Sequence, residues 1–349
     1  MNEKKLNMKV LVTGAAGFIG SYMVEALLKE EYEVVGLDSI NSYYDKHLKY
    51  ARLEESGINH DEIKKNQFTT SQLYPKYRFI RLDLTDKTDI KELFQNEKFD
   101  IVINLAAQAG VRYSLENPYA YVKSNVLGFL NILESCRYNG IKHLLYASSS
   151  SVYGMNNHTP YMETDLTDMP ISIYAATKKT DELMAYSYSK LYGVPTTGLR
   201  FFTVYGPWGR PDMAPFLFLK SILEETPVKV FNHGELSRDF TYIDDIVKGV
   251  MQMVAHPSIE EIPYRIYNIG NSTPVNLMDF ISVIEKVTGK TAIKEMKEMQ
   301  PGDVYCTYAD TTHLKQDFGY TPSVPIQVGI QKFHEWYMKY YYKNSVPIK

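Results

Sequence analysis

The sequence predicts an α/β protein with a Rossmann-type, doubly wound parallel sheet and a smaller mixed α/β substrate-binding domain. Over the first 200 residues, short apolar runs alternate with amphipathic stretches, which is the βαβ pattern of a parallel sheet. Three glycines at three-residue spacing follow the first apolar run. After Arg200 the alternation ends, and prolines and glycines crowd a loop. The two parts of the chain are therefore expected to differ in architecture.

Six apolar runs are predicted as buried strands, and the stretches between them as helices. The strands are residues 10–12, 34–37, 79–82, 101–105, 144–147 and 197–199, and the helices include 18–29, 90–94 and 119–138. Asn117 followed by Pro118 favours a helix start, because asparagine caps free N–H groups and proline fits the first turn. Residues 42–77 form a long polar connection that is either a lid over a cofactor or a plain insertion.

The predicted elements divide the chain into two domains and a tail. We expect the Rossmann domain to cover residues 8–200, with the chain returning to its sheet around 240–255. Residues 201–239 and 256–342 are expected to form the substrate domain, and residues 343–349 a tail. The length of 349 residues agrees with about two domains.

The composition excludes several classes of function. Lys plus Arg (38) nearly balances Asp plus Glu (41), so the net charge of -3 gives no sign of a nucleic-acid or membrane partner. The two cysteines, Cys136 and Cys306, lack metal-ligand spacing, and we predict no metal site. No run of about 18 apolar residues and no apolar leader is present, so we expect a cytoplasmic protein.

The glycines Gly14, Gly17 and Gly20 predict a dinucleotide site. They lie between a predicted strand and a predicted helix. Glycine lets the backbone approach a pyrophosphate, and the helix N-terminus supplies free N–H groups and the positive end of its dipole. A glycine pattern alone is a weak signal, but this strand-before and helix-after context strengthens it.

Asp38 indicates which dinucleotide is bound. It ends the second predicted strand, near the spacing of about 20 residues typical of a ribose-binding carboxylate. A carboxylate accepts hydrogen bonds from a 2′-hydroxyl and repels a 2′-phosphate. Ser39 and Ile40 offer no cation to bind that phosphate, so NAD is favoured over NADP. The alternative at this point is a solvated aspartate at a strand end.

Tyr174 and Lys178 form a candidate acid–base pair. One helical turn separates them, so they share a helix face. A free tyrosine ionises near pH ~10, and an ammonium group beside it favours the phenolate. Such a pair also occurs by chance in a tyrosine-rich helix. The serine run 148–151 follows a predicted strand, however, and ligands of parallel sheets lie at the carboxyl ends of strands.

These motifs together resemble the extended short-chain dehydrogenase/reductase family, specifically its nucleotide-sugar epimerases and dehydratases. Five segments carry the resemblance: residues 13–20 (TGAAGFIG), 83–84, 104–107, 149–154 and the Tyr174-x-x-x-Lys178 motif. The resemblance implies that Tyr174 is the acid/base, that Lys178 holds the nicotinamide ribose, and that Ser149 binds the reacting hydroxyl. It also implies a cofactor site of Gly14, Gly17, Phe18, Ile19, Gly20, Asp38, Asn41, Asp83, Leu84, Leu105, Ala106, Ala107, Gln108, Asn125, Tyr174 and Lys178.

The substrate prediction depends on residues 200–214, which look like the UDP-glucuronate 4-epimerases, as do residues 107–114 and 174–178. Arginine can bind a carboxylate through two parallel hydrogen bonds, so Arg210 and Arg112, with Thr203, are candidates for a uronate carboxylate. Arg210 can alternatively serve a loop turn or the diphosphate. By resemblance, the substrate site also includes residues for the sugar, the uracil and the diphosphate: Ser149, Ser150, Phe231 and Arg238. Gln300 stands where several hexose epimerases carry a second diphosphate arginine.

The resemblance implies C-4 epimerisation of a UDP-hexuronate through a 4-keto sugar, with tightly bound NAD regenerated in each turnover. A 4-epimerase of UDP-glucose, of UDP-N-acetylglucosamine or of the uronate of the latter is the main alternative. A C-5 epimerase or a dehydratase is disfavoured, since no Asp-Glu pair lies near Ser149. A regulatory NAD-binding module is the alternative from another class. The resemblance further implies a homodimer formed by helices around residues 119–138 and 174–192.

Overall fold

The protein is described here by a computed structural model covering residues 8–156, 158–300 and 302–343. All of the predicted tail except residue 343 lies outside these residues. The chain forms two compact units. Within the described residues, unit 1 comprises 8–154, 167–200 and 249–267, and unit 2 comprises the remainder. No helix among the described residues is long and apolar enough to cross a membrane.

An eight-stranded sheet in the order β11-β7-β6-β5-β1-β2-β4-β3 confirms the predicted fold class. Its strands are β1 (Lys9–Thr13), β2 (Glu33–Asp38), β3 (Phe68–Thr70), β4 (Tyr77–Arg81), β5 (Ile101–Asn104), β6 (His143–Ser149), β7 (Thr196–Phe201) and β11 (Tyr264–Ile269). The strands from β6 through β5, β1 and β2 to β4 pair in parallel, and β3 runs antiparallel to β4. The strand order reverses at β1, where Val12 lies between Gly36 of β2 and Ile103 of β5. Ligands of open parallel sheets bind at such a switch point.

Helices α1 (Phe18–Lys29), α3 (Lys87–Glu97), α6 (Gly128–Asn139) and α7 (Ile173–Tyr192) accompany this sheet. The predicted bounds of α1 are confirmed. The stretch predicted as one helix over 119–138 is instead three segments, α5 (Pro118–Tyr121), a π-helical turn (Val122–Leu127) and α6. A short α4 (Tyr113–Glu116) precedes them, and the Asn117 side chain caps α5 as predicted, accepting a hydrogen bond from the Ala120 N–H at 3.4 Å. Buried side chains such as Phe94, Phe129 and Leu144 form the core between sheet and helices.

The connection 42–77 has secondary structure of its own, which the polar sequence did not indicate. It contains α2 (Lys46–Glu55), a 3₁₀ turn (His60–Glu62) and the edge strand β3. Asp45 caps α2, because its side chain accepts a hydrogen bond from the His47 N–H at 3.0 Å. The segment is therefore an ordered part of unit 1.

Unit 2 combines two small sheets with helices. One sheet contains β12 (Pro274–Asn276), β10 (Ser237–Tyr242) and β8 (Thr203–Tyr205), and the other contains β13 (Lys294–Lys297) and β9 (Val228–Phe231). Strand β10 runs parallel to β8 and antiparallel to β12, so the unit is mixed. The other helices of the described chain are α8 (Ala214–Leu223), α9 (Ile243–Val254), α10 (Leu277–Thr288), α11 (Thr312–Phe318) and α12 (Ile326–Tyr337). The predicted return to the large sheet around 240–255 falls on α9, and the strand that joins the sheet is β11. The assignment of the two units to cofactor and substrate stays a prediction.

Candidate active site

The glycine turn leaves no room for side chains. Gly14 has a φ of +71°, and a Cβ built there would lie 2.9 Å from the backbone nitrogen of Ala106. A Cβ on Gly20 would lie 2.0 Å from the Gly14 carbonyl oxygen. The Gly17 N–H donates to that same oxygen at 2.8 Å, and α1 begins at Phe18 with no side-chain cap. A closely packed turn that opens an uncapped helix fits the pyrophosphate of a dinucleotide.

Asp38 ends β2 beside this turn and is buried. Its carboxylate accepts hydrogen bonds from the Ile40 N–H at 2.8 Å and from the Ala16 N–H at 3.2 Å. The Lys49 ammonium of α2 lies 3.9 Å from the same carboxylate. Ser39 and Ile40 supply no cation, as predicted, but α2 brings one to Asp38 from 11 residues further along the chain.

Helix α2 contributes a second buried cation to this region. Arg52 donates to the Ala16 carbonyl oxygen at 3.0 Å and to the Tyr44 hydroxyl at 2.7 Å. Lys49 donates to the side-chain oxygen of Asn41 at 2.9 Å. Lys49 and Arg52 lie three residues apart in the sequence, a spacing that puts them on one face of α2. Their burial comes from the packing of the connection, so sequence reasoning missed them.

The residues after β4 and β5 supply other predicted cofactor positions. The Asn104 side chain accepts from the Thr13 hydroxyl at 2.7 Å, and the Ala106 N–H donates to that hydroxyl at 3.1 Å. The Asn131 side chain donates to the carbonyl oxygen of Leu84 at 2.8 Å. Residues 105–108 follow β5 at the same edge of the sheet as the glycine turn. Asp83 and Leu84 follow β4 at that edge.

Asn125 in the π-helical turn connects this edge to α7. Its amide accepts from the Gln108 N–H at 2.7 Å and donates to the Gln108 carbonyl oxygen at 3.0 Å. It also donates to the hydroxyl of Thr177 at 2.9 Å. Thr177 lies between Tyr174 and Lys178, so Asn125 ties the predicted cofactor edge to the predicted acid–base helix.

Tyr174 lies in the first turn of α7, which Ser172 caps by accepting from the Ala175 N–H at 3.1 Å. The half-buried Tyr174 ring meets the Tyr121 ring edge-on, with centroids 6.0 Å apart. Lys178, one turn later, is only 3% exposed. The helix therefore presents a partly accessible phenol beside a buried ammonium group.

The Lys178 ammonium group donates hydrogen bonds to two acceptors among the described residues. It donates to the Ala147 carbonyl oxygen of β6 at 2.8 Å and to the Asp181 carboxylate at 3.0 Å. Burial raises the pKa of the Asp181 carboxyl, and the charge of Lys178 opposes that rise. The contact with Ala147 fixes Lys178 at the carboxyl end of β6, two residues before Ser149. Sequence reasoning missed Asp181, although its i,i+3 spacing from Lys178 was visible.

Ser149 ends β6 and caps a 3₁₀ turn, Ser150–Tyr153. Its hydroxyl accepts from the N–H of Ser151 at 3.2 Å and from the Ser151 hydroxyl at 3.0 Å. Both Ser149 and Ser150 are partly exposed at this edge, where a substrate hydroxyl can reach them.

A buried ion pair supports the serine run. Arg200 donates two hydrogen bonds to Glu182, at 2.8 Å and 2.9 Å, and a third to the Tyr153 hydroxyl at 2.9 Å. The Ser148 hydroxyl donates to Glu182 at 2.6 Å. These contacts link α7, β7 and the 3₁₀ turn, so they fix the backbone on both sides of Ser149.

The predicted carboxylate residues occupy three local settings. Thr203 is on β8, paired with Phe240 of β10, and Arg112 is an exposed residue at the start of α4 in unit 1. Arg210 follows β8 in unit 2 and forms a side-on ion pair with Asp212, in which Nε lies 3.0 Å from the carboxylate. Asp212 was not predicted, although it lies two residues from Arg210 and its opposite charge could have indicated an ion pair.

Arg238 of β10 and Phe231 at the end of β9 are partly buried in unit 2. Arg238 donates to the carbonyl oxygens of Ser237 at 2.9 Å and Tyr305 at 3.4 Å, and lies 4.0 Å from the Asp303 carboxylate. The Ser237 N–H also donates to the Tyr305 carbonyl oxygen at 2.9 Å. The segment around Tyr305 and Cys306, which had no predicted role, therefore lines the edge of β10.

In the described ranges, no group of three or more His, Cys, Asp or Glu side chains is arranged to hold a metal ion. The polar groups described at the sheet edge are hydroxyls, amides, carboxylates, the ammonium groups of Lys49 and Lys178 and the guanidinium group of Arg52. This arrangement suits proton transfer beside a dinucleotide.

Comparison with known proteins gives extensive similarity. Residues 10–270 match the NAD dependent epimerase/dehydratase family. Protein CapI of Staphylococcus aureus is 48% identical over 350 residues, which cover 96% of this chain and 100% of that protein. UDP-glucuronate 4-epimerase 2 of Arabidopsis thaliana is 44% identical, covering 96% of this chain and 76% of the plant protein.

A solved structure agrees with these sequences. The UDP-glucuronic acid 4-epimerase of Bacillus cereus, in complex with UDP-glucuronic acid and NAD, has a TM-score of 0.84 and 35% identity to this chain. The similarity covers 95% of this chain and 99% of that one. The family predicted from the sequence motifs is thereby confirmed. Since sequence and fold agree over most of its length, the chain belongs to the NAD-dependent epimerase/dehydratase family.

Proposed function

We propose that this protein interconverts UDP-glucuronate and UDP-galacturonate by inverting C-4 through a transient 4-keto sugar. The observation that carries the reaction type is the Tyr174–Lys178 turn of α7, with Lys178 bound at the end of β6. The substrate is supported by the 44% identity, over 96% of this chain, to a relative named UDP-glucuronate 4-epimerase.

The proton chemistry rests on Tyr174. When bound, NAD would supply the hydride chemistry at C-4, and the glycine turn at Gly14 and the buried Asp38 would hold it. The phenolic oxygen of Tyr174 takes the proton of the C-4 hydroxyl and later gives it back, while the Ser149 hydroxyl orients the same oxygen. Lys178 favours the phenolate by its charge and holds the nicotinamide ribose. Between the two steps the keto sugar swings about its diphosphate linkage and presents its other face.

The carboxylate of the sugar requires separate control. A 4-keto uronate is a β-keto acid, which loses carbon dioxide when its carboxylate stands perpendicular to the ring carbonyl. Arg210 can bind that carboxylate through parallel hydrogen bonds, assisted by Thr203 and Arg112, and hold it away from this alignment. Asp212 supports the role of Arg210, because a side-on ion pair fixes the plane of the guanidinium group.

The nucleotide end is assigned to unit 2 residues. Arg238, held by the carbonyl oxygens of Ser237 and Tyr305, is oriented for the diphosphate. Phe231 offers a partly exposed ring for the uracil. Both roles rest on the family resemblance and on this local geometry.

Product analysis tests the proposal. The enzyme is incubated separately with UDP-glucuronate, UDP-glucose and UDP-N-acetylglucosamine, and the nucleotide sugars are separated by chromatography. We expect UDP-galacturonate as the main product, its loss in Tyr174→Phe, and full activity in the control Tyr342→Phe, whose side chain is 47% exposed. Turnover of only neutral sugars would refute the uronate assignment. A fully active Tyr174→Phe variant would refute the assignment of the base.

One observation favours a second candidate. The Arg210–Asp212 pair already offsets the charge of the arginine, as a site for a neutral sugar would require. A UDP-glucose or UDP-N-acetylglucosamine 4-epimerase is therefore the competing proposal, and the same three incubations decide between the two.

We also propose that the protein forms a homodimer through the outer faces of α5, the π-helical turn, α6 and α7. These helices leave large apolar side chains exposed: Tyr119, Val122, Leu127, Leu130, Leu183 and Tyr186. Exposed large apolar side chains on neighbouring helices are typical of a protein interface. Leu183→Glu should release monomers in size-exclusion chromatography, while the control Ile259→Glu, at a side chain 92% exposed elsewhere in unit 1, should not. A Leu183→Glu variant of unchanged size would contradict this interface. A cytoplasmic location is proposed as well, with cell fractionation as its test.

A further inference from the structure

Asp181 is a buried carboxylate that the mechanism above does not use. It lies on α7 between Lys178 and Glu182 and is only 2% exposed. One of its oxygens, Oδ2, is 3.0 Å from the Lys178 ammonium. The other, Oδ1, is buried without a hydrogen-bond partner. A buried charge with one unsatisfied oxygen is costly to keep, which points to a role beyond packing.

We propose that Asp181 is a positioning residue that fixes the Lys178 ammonium group and limits how strongly its charge favours the Tyr174 phenolate. This inference rests on the proposed roles of Tyr174 and Lys178. The Lys178 ammonium group is held by two acceptors, the Ala147 carbonyl oxygen and the Asp181 carboxylate, so it stays at the end of β6. The carboxylate also places a negative charge beside the positive one, which weakens its effect on a nearby phenol.

The other charged groups near Asp181 are already compensated. Glu182 is adjacent on α7, but Arg200 of β7 binds both of its oxygens. From the sheet, Tyr146 and Tyr264 face this region. Burial raises the pKa of both phenols, that of Tyr264 to about 12, so they carry no charge at neutral pH.

Within the described ranges, the charged side chains that α6 and the π-helical turn bring against α7 are paired or exposed. On α6, Glu134 accepts a hydrogen bond from Arg137 of the same helix. It also accepts one from Tyr188, which lies two turns beyond Asp181 on α7. Lys123 in the π-helical turn is exposed. Lys178 is thus the group through which the charge of Asp181 acts on the site, and the positive charge of Lys178 opposes the rise that burial causes in the Asp181 pKa.

The expected effect follows from distance. Seven residues separate Asp181 from Tyr174 on one helix, a rise of about 10 Å. The effective dielectric constant between the two groups is taken as about 20 to 80. Removing the Asp181 charge at that distance should then shift the acid limb of the pH profile by roughly 0.3 to 1.2 pH units. Activity should therefore extend to lower pH once the carboxylate is gone.

The test is the pH profile of kcat/KM for UDP-glucuronate in Asp181→Asn and Asp181→Ser, which remove the same charge with side chains of different size. Both should shift the acid limb to lower pH by this amount. The control Asp168→Asn removes an exposed carboxylate 3.6 Å from Lys179, the next lysine of α7, and should leave the limb unchanged.

Each outcome of these measurements supports or overturns the proposed role of Asp181. An unchanged acid limb in folded, NAD-containing variants overturns the inference, even if kcat falls, because a purely structural role lowers activity without moving the profile. Failure of both variants to fold also overturns it, since Asp181 would then be structural. The variant Tyr174→Phe distinguishes a failure of the acid–base assignment from a failure of the proposed role of Asp181. If that variant is active, the acid–base assignment itself fails; if it is inactive and the limb does not move, only the role of Asp181 fails.

Discussion

Replacing Arg210 by alanine should lower kcat/KM for UDP-glucuronate by about 100-fold. Arg210 is the proposed ligand of the sugar carboxylate, and its Nε and Nη2 atoms bind Asp212. Alanine removes the guanidinium group and leaves both carboxylates, that of Asp212 and that of the substrate, without this partner. A neutral UDP-hexose has no carboxylate to lose, so any activity toward UDP-glucose should change little.

The magnitude follows from the hydrogen bonds at stake. A hydrogen bond to a charged group contributes about 1.5–3 kcal/mol. The lower value applies here because the Arg210 side chain is 20% exposed, which allows water to screen it. Two parallel bonds then amount to about 3 kcal/mol, and 1.36 kcal/mol is a factor of ten in rate. Arg210→Lys keeps the charge but loses the fork, so about tenfold is expected.

The assay measures initial rates for UDP-glucuronate and UDP-glucose and quantifies decarboxylated UDP-pentose in the same samples. Arg210→Ala should raise the share of pentose, because the unclamped carboxylate can align with the ring carbonyl. Arg265→Ala, a partly exposed arginine 3.9 Å from Glu260, is the matched control. Equal losses for both sugars, with no added pentose, would refute the reasoning and assign Arg210 to its loop.

Three further predictions concern the cofactor edge and stability. Lys49→Met removes the cation 3.9 Å from Asp38, so the purified enzyme should retain NAD about tenfold more weakly, as measured by cofactor release; full retention would exclude this role. Arg200→Met leaves Glu182 as an uncompensated buried charge and should cost about 3–5 kcal/mol in urea unfolding, whereas a loss below about 1 kcal/mol would mean that the pair is solvated. Burial lowers the pKa of His143 to about 4, below its unfolded value, so the unfolded chain binds the proton first as the pH falls. Stability should therefore be complete above about pH 6.5 and fall by about 3 kcal/mol toward pH 4, and His143→Gln should flatten that slope in urea titrations.

Most of the Rossmann unit could be predicted because its signals are local. The apolar runs of β1, β2 and β6 and the bounds of α1 follow from residue periodicity and from Gly14 and Gly17 at the turn. The helix over 119–138 was only partly correct. A π-helical turn interrupts it, and such a turn depends on tertiary contacts of Asn125 that no periodicity records.

The site was predictable to the extent that its residues belong to short motifs. Tyr174, Lys178 and Ser149 are candidates from spacing and family resemblance, and Asp212 could have been a candidate too, since it lies two residues from Arg210. Lys49 could not be predicted from a short motif. Its closeness to Asp38 depends on how the 42–77 connection packs, and polar composition does not reveal that a surface-type helix buries its basic side chains.

The sequence by itself determined the fold class, the glycine turn, the family and the candidate acid–base pair, because each is encoded within a few neighbouring residues. Only the tertiary structure decided which charges are buried together: Lys49 with Asp38, Arg200 with Glu182, and the Oδ1 atom of Asp181 left without a partner. Burial changes the strength of a charge interaction through the local dielectric, and that quantity is a property of the packed chain.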